Sequence, residues 1–543
     1  MSSPERGHQR RRLGLVGLVA TATVLAAWLS DLELGRLLST DGTGGVGDLL
    51  AGLASPDLSS SFLTRIGRLA IESVLIGVLG MALALVVAIP LAVAGARSPA
   101  LIDAPDRRPY ATAARELVRT VARALLALFR SVPEIVWAFL FVRILGLGPG
   151  PAVLAIGLTF GGIIGKLYAE LLEATDPVPG RRLRGAGAGA LAILIHAQLP
   201  QVGRAWTAYA LFRLECAIRS ASILGVVGAG GLGTEIELSI RYFQYDKLAT
   251  ALLAVLVFVV ALEIASHWLR RARPRWSILL MTAGALLAVA MLDIPWARLV
   301  GEHAASQTAS FFAGFAHPTS SGEFLTRAAQ LAVLTVAMAW CATVLAACAA
   351  VVLAPLAATT FTIGGYLEDA PRGRGPTRWL ALGLLVPARI TLQVTRALPE
   401  LVWALIFVVW IGPGPTAGVL ALTVHTVGIL GRLFTDALED TEPGPARALE
   451  AGGAGPLARY VYGVMPQAMP RMLAFTLFRF EVNIRNAAMV GFVGAGGLGN
   501  AIHTAISLFH WNDLATLLAV LLAVVLIADA AGDRVRSRLL RPR

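Results

Sequence analysis

Charge is scarce in this sequence. Asp, Glu, Lys and Arg make up 15% of its 543 residues, against about 25% in a soluble protein, too few to cover a water-facing surface of this size. Cysteine is scarcer: Cys216, Cys341 and Cys348 all lie in apolar stretches, match no metal-ligand spacing and read as packing residues. A Walker A motif is missing too. Gly165-Lys166-Leu167 comes nearest, but Phe160 stands where the first glycine belongs and Leu167 replaces the Ser or Thr. No Ser-His-Asp, paired-carboxylate or metal constellation is evident. Nothing argues for an enzyme or for a cofactor in this chain, and any ATP hydrolysis must happen on another.

What is present is hydrophobic residue, 56% of the chain. Leu69–Ala96, Leu248–Ile264, Ala328–Leu356 and Leu514–Asp529 are continuous apolar runs. Each is long enough, or nearly so, for a hydrocarbon core of about 30 Å, which takes about 20 helical residues. Continuous rather than alternating runs exclude a β-barrel. The class is an all-α polytopic membrane protein. The net charge of +12 raises the question of nucleic acid, and its placement answers it. Basic clusters at Arg10–Arg12, Arg107–Arg108, Arg181–Arg184, Arg270–Arg275, Arg372–Arg378 and Arg534–Arg543 flank apolar runs. They alternate with poorly basic connections, Asp31–Ser61 and Asp293–Glu323. That is the positive-inside pattern of a plasma-membrane protein with both termini cytoplasmic. The first run, Leu13–Leu29, lacks a small-x-small cleavage site before Asp31 and reads as a retained span.

The chain also says the same thing twice. RSVPEIVWAFLF at 130–141 returns as RALPELVWALIF at 396–407, and Pro133 and Pro399, Pro200 and Pro466, Gly233 and Gly499 all lie 266 apart. About six spans per half are expected, near 13–29, 69–96, 117–145, 152–173, 205–227 and 248–269, then 278–293, 328–356, 380–411, 416–438, 471–493 and 514–530. The halves are 1–275 and 276–543. An even number of spans makes them parallel repeats about the membrane normal.

Two connections recur. Gly148-Pro149-Gly150-Pro151 and Gly412-Pro413-Gly414-Pro415 mark a tight outer turn. The inner connection after span four, near 176–200 and 442–466, is far longer than the usual 4–6 residues. It carries Gly187-Ala188 or Gly453-Ala454 and ends at Pro200 or Pro466. A long loop kept in both copies reads as an interface.

Gly228, Gly230, Gly231 and Gly233, and their copies Gly494, Gly496, Gly497 and Gly499, match G-x-G-x-x-G. They follow a membrane span, not a strand, which argues against a dinucleotide fold and for a glycine hinge at the outer mouth. Ionisable residues within spans cost about 2.5–3.5 kcal/mol each in lipid and so face the bundle interior. Span five carries Arg213, Glu215 and Arg219, mirrored by Arg479, Glu481 and Arg485. Each Glu and the Arg four residues on can neutralise one another, leaving Arg213 and Arg479 in excess, with planar forks suited to phosphoryl oxygens. Glu134 and Glu400 follow the prolines of span three; they would repel an anion and read as structural or gating partners, within reach of Arg130 and Arg396. His425 has Thr159 as its copy, so its surroundings are not symmetric.

A Gly-Ala whose glycine lies thirteen residues before the proline of Leu-Pro or Met-Pro resembles the cytoplasmic coupling loop of ABC-importer permeases. Here it runs from Gly187-Ala188 to Pro200 and from Gly453-Ala454 to Pro466. RALPELVWALIFV, GVLALTVHTVGILGRLF and LFRFEVNIRNAAMVGFVGAGGLG together resemble the phosphonate-importer permease family over most of each half. The resemblance departs at the family's loop glutamate, where Arg181 and Arg447 stand. It implies about twelve helices in a type I ABC importer permease fold, and import of phosphonates, phosphite or phosphate. It implies as partners two copies of an ATP-binding subunit, with ATP and Mg bound there, an extracytoplasmic binding protein, and membrane lipid. A twelve-span secondary transporter of anions is the alternative reading.

Overall fold

The structure, a computed structural model, describes residues 17, 20–32, 43–97, 109–271, 274–299, 301–362 and 376–539. The basic clusters at 10–12 and 107–108, most of that at 372–378 and both chain ends lie outside these.

All regular elements among the described residues are helical. In chain order they are α1 (Ala20–Leu29), α2 (Thr43–Ala54), α3 (Ser60–Gly95), α4 (Pro109–Ser131), α5 (Glu134–Leu145), α6 (Pro149–Glu173), α7 (Pro177–Gly185), α8 (Leu199–Leu224), α9 (Leu232–Arg241), α10 (Tyr245–Arg271), α11 (Pro274–Met291) and α12 (Glu302–Ala316). The second copy continues with α13 (Gly322–Ala357), α14 (Pro376–Ala397), α15 (Glu400–Ile411), α16 (Pro415–Glu439), α17 (Gly444–Ala451), α18 (Met465–Val490), α19 (Gly497–Ser507) and α20 (Trp511–Leu539). Six of these are long and apolar enough to cross a membrane, or nine if the bent pairs α4–α5, α14–α15 and α18–α19 each count as one span. The other three expected spans fall on α8 and on the shorter apolar helices, α1 and Trp276–Met291 of α11, which are not among these nine.

The contacts divide the chain into two compact units, one of residues 48–316 and one of residues 1–47 with 317–543. The cut differs from the repeat boundary. In the first unit α11 packs on α3, where a Cβ on Gly284 would lie 3.2 Å from Val78. In the second, α1 lies along α13, with the Trp340 indole donating to Thr23 at 3.2 Å. The opening helix of each half thus belongs to the unit built by the other half.

Spans three, expected over 117–145 and 380–411 with a proline able to kink each, are sharply broken at that proline. α4 meets α5 at 92° and α14 meets α15 at 93°. Proline has no N–H for the ladder and disfavours helical backbone in the residue before it, so Pro133 and Pro399 end one helix and start the next. A glycine receives each break. A Cβ on Gly162 of α6 would lie 2.6 Å from the Arg130 backbone N, and one on Gly428 of α16 would lie 2.5 Å from that of Arg396. The obstacle is backbone, which cannot swing aside. We therefore expect Gly428→Ala to cost about 1–3 kcal/mol through overpacking, read as a lower thermal unfolding temperature in detergent. Gly185→Ala, where the added methyl meets open space, should leave it unchanged.

Candidate functional site

Three constellations recur in both copies. The first is the long loop. Asp176 caps α7, accepting from the Val178 N–H at 2.9 Å. α7 ends in a Schellman motif: Gly187 at φ +85° donates to the Arg184 carbonyl at 2.8 Å, and Ala188 donates to the Leu183 carbonyl at 3.0 Å. Leu183 and Ala188 pack together over Ile193 and Ala197. Gly453 (φ +80°) and Ala454 make the same bonds to Glu450 and Leu449. This gives the Gly-Ala pair its reason: glycine takes the left-handed turn and alanine supplies the apolar contact that follows it. The chain then enters α8 and α18 through π-helical turns, Leu194–Gln198 and Arg459–Val464. Pro200 and Pro466 sit just beyond them and cannot donate four residues back.

Two glutamines that mark the end of the loop in the sequence, directly after Pro200 and Pro466, also clamp it. The Gln201 side chain accepts from the Asp176 N–H at 3.0 Å and donates to the Asp176 and Ala197 carbonyls. Gln467 does the same for Glu442 and Gly463. Their recurrence 266 positions apart was the available signal. The loops differ in charge. Arg459 pairs with Glu450 in the second, where the first has Ile193 and Arg184. Arg181 and Arg447 are exposed.

The second constellation is the glycine turn between α8 and α9, and between α18 and α19. Gly228, Gly230 and Gly231 all have φ near +80°, as do Gly494, Gly496 and Gly497. The turn is tight: a Cβ on Gly233 would lie 2.5 Å from the Ser222 carbonyl, and one on Gly499 would lie 1.9 Å from that of Ala488. Ser73 and Thr335 hydroxyls accept from the buried Leu232 and Leu498 N–H groups at 3.0 and 2.9 Å. The Gly-Pro-Gly-Pro turn packs alongside, with Gly148 donating to the Gly228 carbonyl at 3.0 Å. Ser73 and Thr335 lie 262 apart, so a strict 266 register hides their equivalence.

The third is the charged interior, where the copies diverge. In the first, Arg219 faces Glu215 at 3.4 Å, the expected pair, and Glu263 of α10 at 3.8 Å. Glu134 accepts from Ser220 at 3.0 Å. Arg213 is half-buried and donates to the Tyr209 hydroxyl at 2.8 Å. In the second, Glu400, His425, Arg479, Glu481 and Asn483 are all buried, and Arg485 lies one turn beyond Glu481. Arg479 donates to Asn483 at 3.3 Å, and Asn483 bonds Thr426 and Thr343, joining α18 to α16 and α13. His425 Nδ1 lies 3.0 Å from the Leu398 carbonyl, and Nε2 lies 3.2 Å from Glu400. A carbonyl only accepts, so Nδ1 carries hydrogen.

Residues 110–275 and 387–541 match the family described as binding-protein-dependent transport system inner membrane component. The chain belongs to that family. It is a multi-pass permease that carries the family's domain twice. It is 31% identical to the phosphate-import permease protein PhnE of Mycolicibacterium smegmatis, over 95% of this chain and 93% of that one. It is 36% identical to the phosphite transport system permease protein PtxC of Stutzerimonas stutzeri, over 48% of this chain and 89% of that one. Among solved structures it is similar to a chain of the inward-facing MetNI methionine ABC transporter, at 21% identity and a TM-score of 0.35, covering 41% of this chain and all of that one.

The buried His425–Glu400 contact in this permease is open to a double-mutant cycle. His425→Ala takes one partner from the Glu400 carboxyl, which keeps Arg479 in electrostatic reach, and should cost about 1–3 kcal/mol. It should cost less when added to Glu400→Gln than it does alone, measured by thermal unfolding. Additive losses would show that the two side chains act separately.

Proposed function

We propose that this chain is the whole transmembrane part of a type I, ATP-driven, binding-protein-dependent importer for phosphonates or related phosphorus oxyanions. The observation that carries the reading is the 31% identity along 95% of the chain to a phosphate-import permease, with the family domain present in both copies. A secondary transporter, the alternative, finds no support in that match.

On this reading two copies of an ATP-binding subunit dock against the loops 176–200 and 442–466. ATP draws the loops together and the permease switches access by rigid-body motion. α7 and α17, locked by their Schellman turns and by Gln201 and Gln467, make stiff handles for that load. ATP and Mg sit on the partner subunits, a binding protein delivers substrate at the glycine turns, and both termini face the cytoplasm. Of Arg213 and Arg479, half-buried Arg213 is better placed to meet a passing oxyanion, since Arg479 is committed to Asn483 and interacts with Glu400.

The double variant Gly187→Asp, Gly453→Asp forces a carboxylate side chain into left-handed backbone at the docking surface. In proteoliposomes carrying the ATPase and binding protein, we expect inserted permease whose ATP hydrolysis no longer drives phosphate or phosphonate uptake. Unchanged uptake with normal ATPase binding would count against the docking role.

A further inference from the structure

The turns between α9 and α10 and between α19 and α20 put a phenylalanine where the long loops put glycine. Both turns are Schellman motifs. Phe243 donates to the Ile240 carbonyl at 3.1 Å and Gln244 to that of Ser239 at 2.8 Å. Phe509 donates to the Ile506 carbonyl at 3.3 Å and His510 to that of Ala505 at 2.9 Å. The left-handed position is taken by Phe243 at φ +55° and Phe509 at φ +59°; in the long loops Gly187 and Gly453 hold it. Such backbone suits glycine but crowds the Cβ of any L side chain against the following carbonyl. Among the described residues Asp31 is the one other non-glycine residue at positive φ. The two phenylalanines lie 266 apart, so both copies keep the strain.

Strain of this kind persists where something else offsets it. Packing within the unit does little of that at Phe243. Its ring meets Tyr245 edge-on at 6.3 Å, and the residue stays 72% exposed. Phe509 meets Trp511 in the same way at 5.8 Å and stays 45% exposed. Tyr242 and Leu508, one residue before, are exposed as well.

The surroundings of both turns point to lipid. Apolar spans begin at Tyr245 and Trp511, two residues past each phenylalanine. Further along, α10 exposes Leu253, Val257 and Ile264, and α20 exposes Leu526 and Ile527, apolar surface that a spanning helix turns to hydrocarbon. Polar groups flank the turns: Lys247 donates to Gln244 at 3.2 Å, and His510 faces Asp513 at 3.4 Å. The turns are tied to the poorly basic connections, with Asp57 donating to the Asp246 carbonyl and Thr319 to that of Asn512, both at 3.2 Å. Trp and Tyr mark the level where a span meets the headgroups, and here they are the edge-on partners of the two rings.

We propose that Phe243 and Phe509 are wedges that enter the outer leaflet, with the glycerol and upper acyl region of a phospholipid as their partner. Covering the ring there offsets the left-handed turn. Each wedge anchors the far end of the short helix that starts at a glycine turn, and so holds that turn at a set depth. The anchoring is independent of what the permease carries.

A trifluoromethyl-phenylalanine placed at 243 or at 509 by codon suppression keeps the ring and gives it a fluorine signal. The purified full chain is studied by fluorine NMR in phosphatidylcholine nanodiscs. One sample contains a phospholipid spin-labelled just below its headgroup, and another a water-soluble gadolinium chelate. The same probe at Tyr462, exposed on the second long loop, is the water reference. We expect the labelled lipid to broaden the signals at 243 and 509 more than the chelate does, the reverse of the order at 462. The order found at 462, at either ring, overturns the proposal. So does shielding of the rings from the chelate that arises only when an extracytoplasmic binding protein is added, which would make them a protein contact. Anchoring is read with the probe at Tyr242. Phe243→Gly should shift its broadening from the lipid toward the chelate, and Phe243→Leu should not. An unmoved signal in Phe243→Gly would overturn the anchoring role.

Discussion

Hydrocarbon offers no hydrogen bonds, so each place where the backbone leaves a helix must be closed from within the protein. In this permease a few side chains do that, and they recur. Arg123 and Arg389 take the last carbonyls of α3 and α13, while Glu173 and Glu439 take the N–H groups of Arg97 and Thr359 that follow. Ser73 and Thr335 close the glycine turns. Gln201 and Gln467 close the entry to α8 and α18. Remove this set and the ends of α3 and α13, the glycine turns and the long loops would all be left with unpaired backbone groups.

The same skeleton encloses two different interiors. The first copy keeps its charges half-buried and shared between α8 and α10 through Arg219. The second seals an arginine, a histidine and two glutamates within the bundle and ties the arginine to amide and hydroxyl groups. Duplication has preserved what holds the backbone and released what faces the interior. One chain that supplies both copies can hold such a difference, since neither copy has to match itself.

Much of this was legible in the residues. Composition and run length identified the helical membrane class, and the 266-residue register located both loops and both glycine turns. The glycines at 187 and 453 proved to be left-handed caps, as their place after a short helix allows. The interior was less legible. The sharp break at Pro133 depends on Gly162 receiving the bent backbone from another helix, and no local pattern states that. Ser73 and Thr335 escaped because the copies slip by four residues between α3 and α4. His425 looked solitary in the sequence because its partner, Glu400, lies on a different helix, brought close only by packing.

The exchange of opening helices has a hereditary consequence. α11 is encoded with the second copy yet packs on α3 of the first, and α1 is encoded with the first yet lies along α13 of the second. A substitution in either opening helix is therefore judged by a surface written in the other half of the gene. The two copies could diverge in their interiors, but neither could leave the fusion alone without taking with it a helix that the other needs.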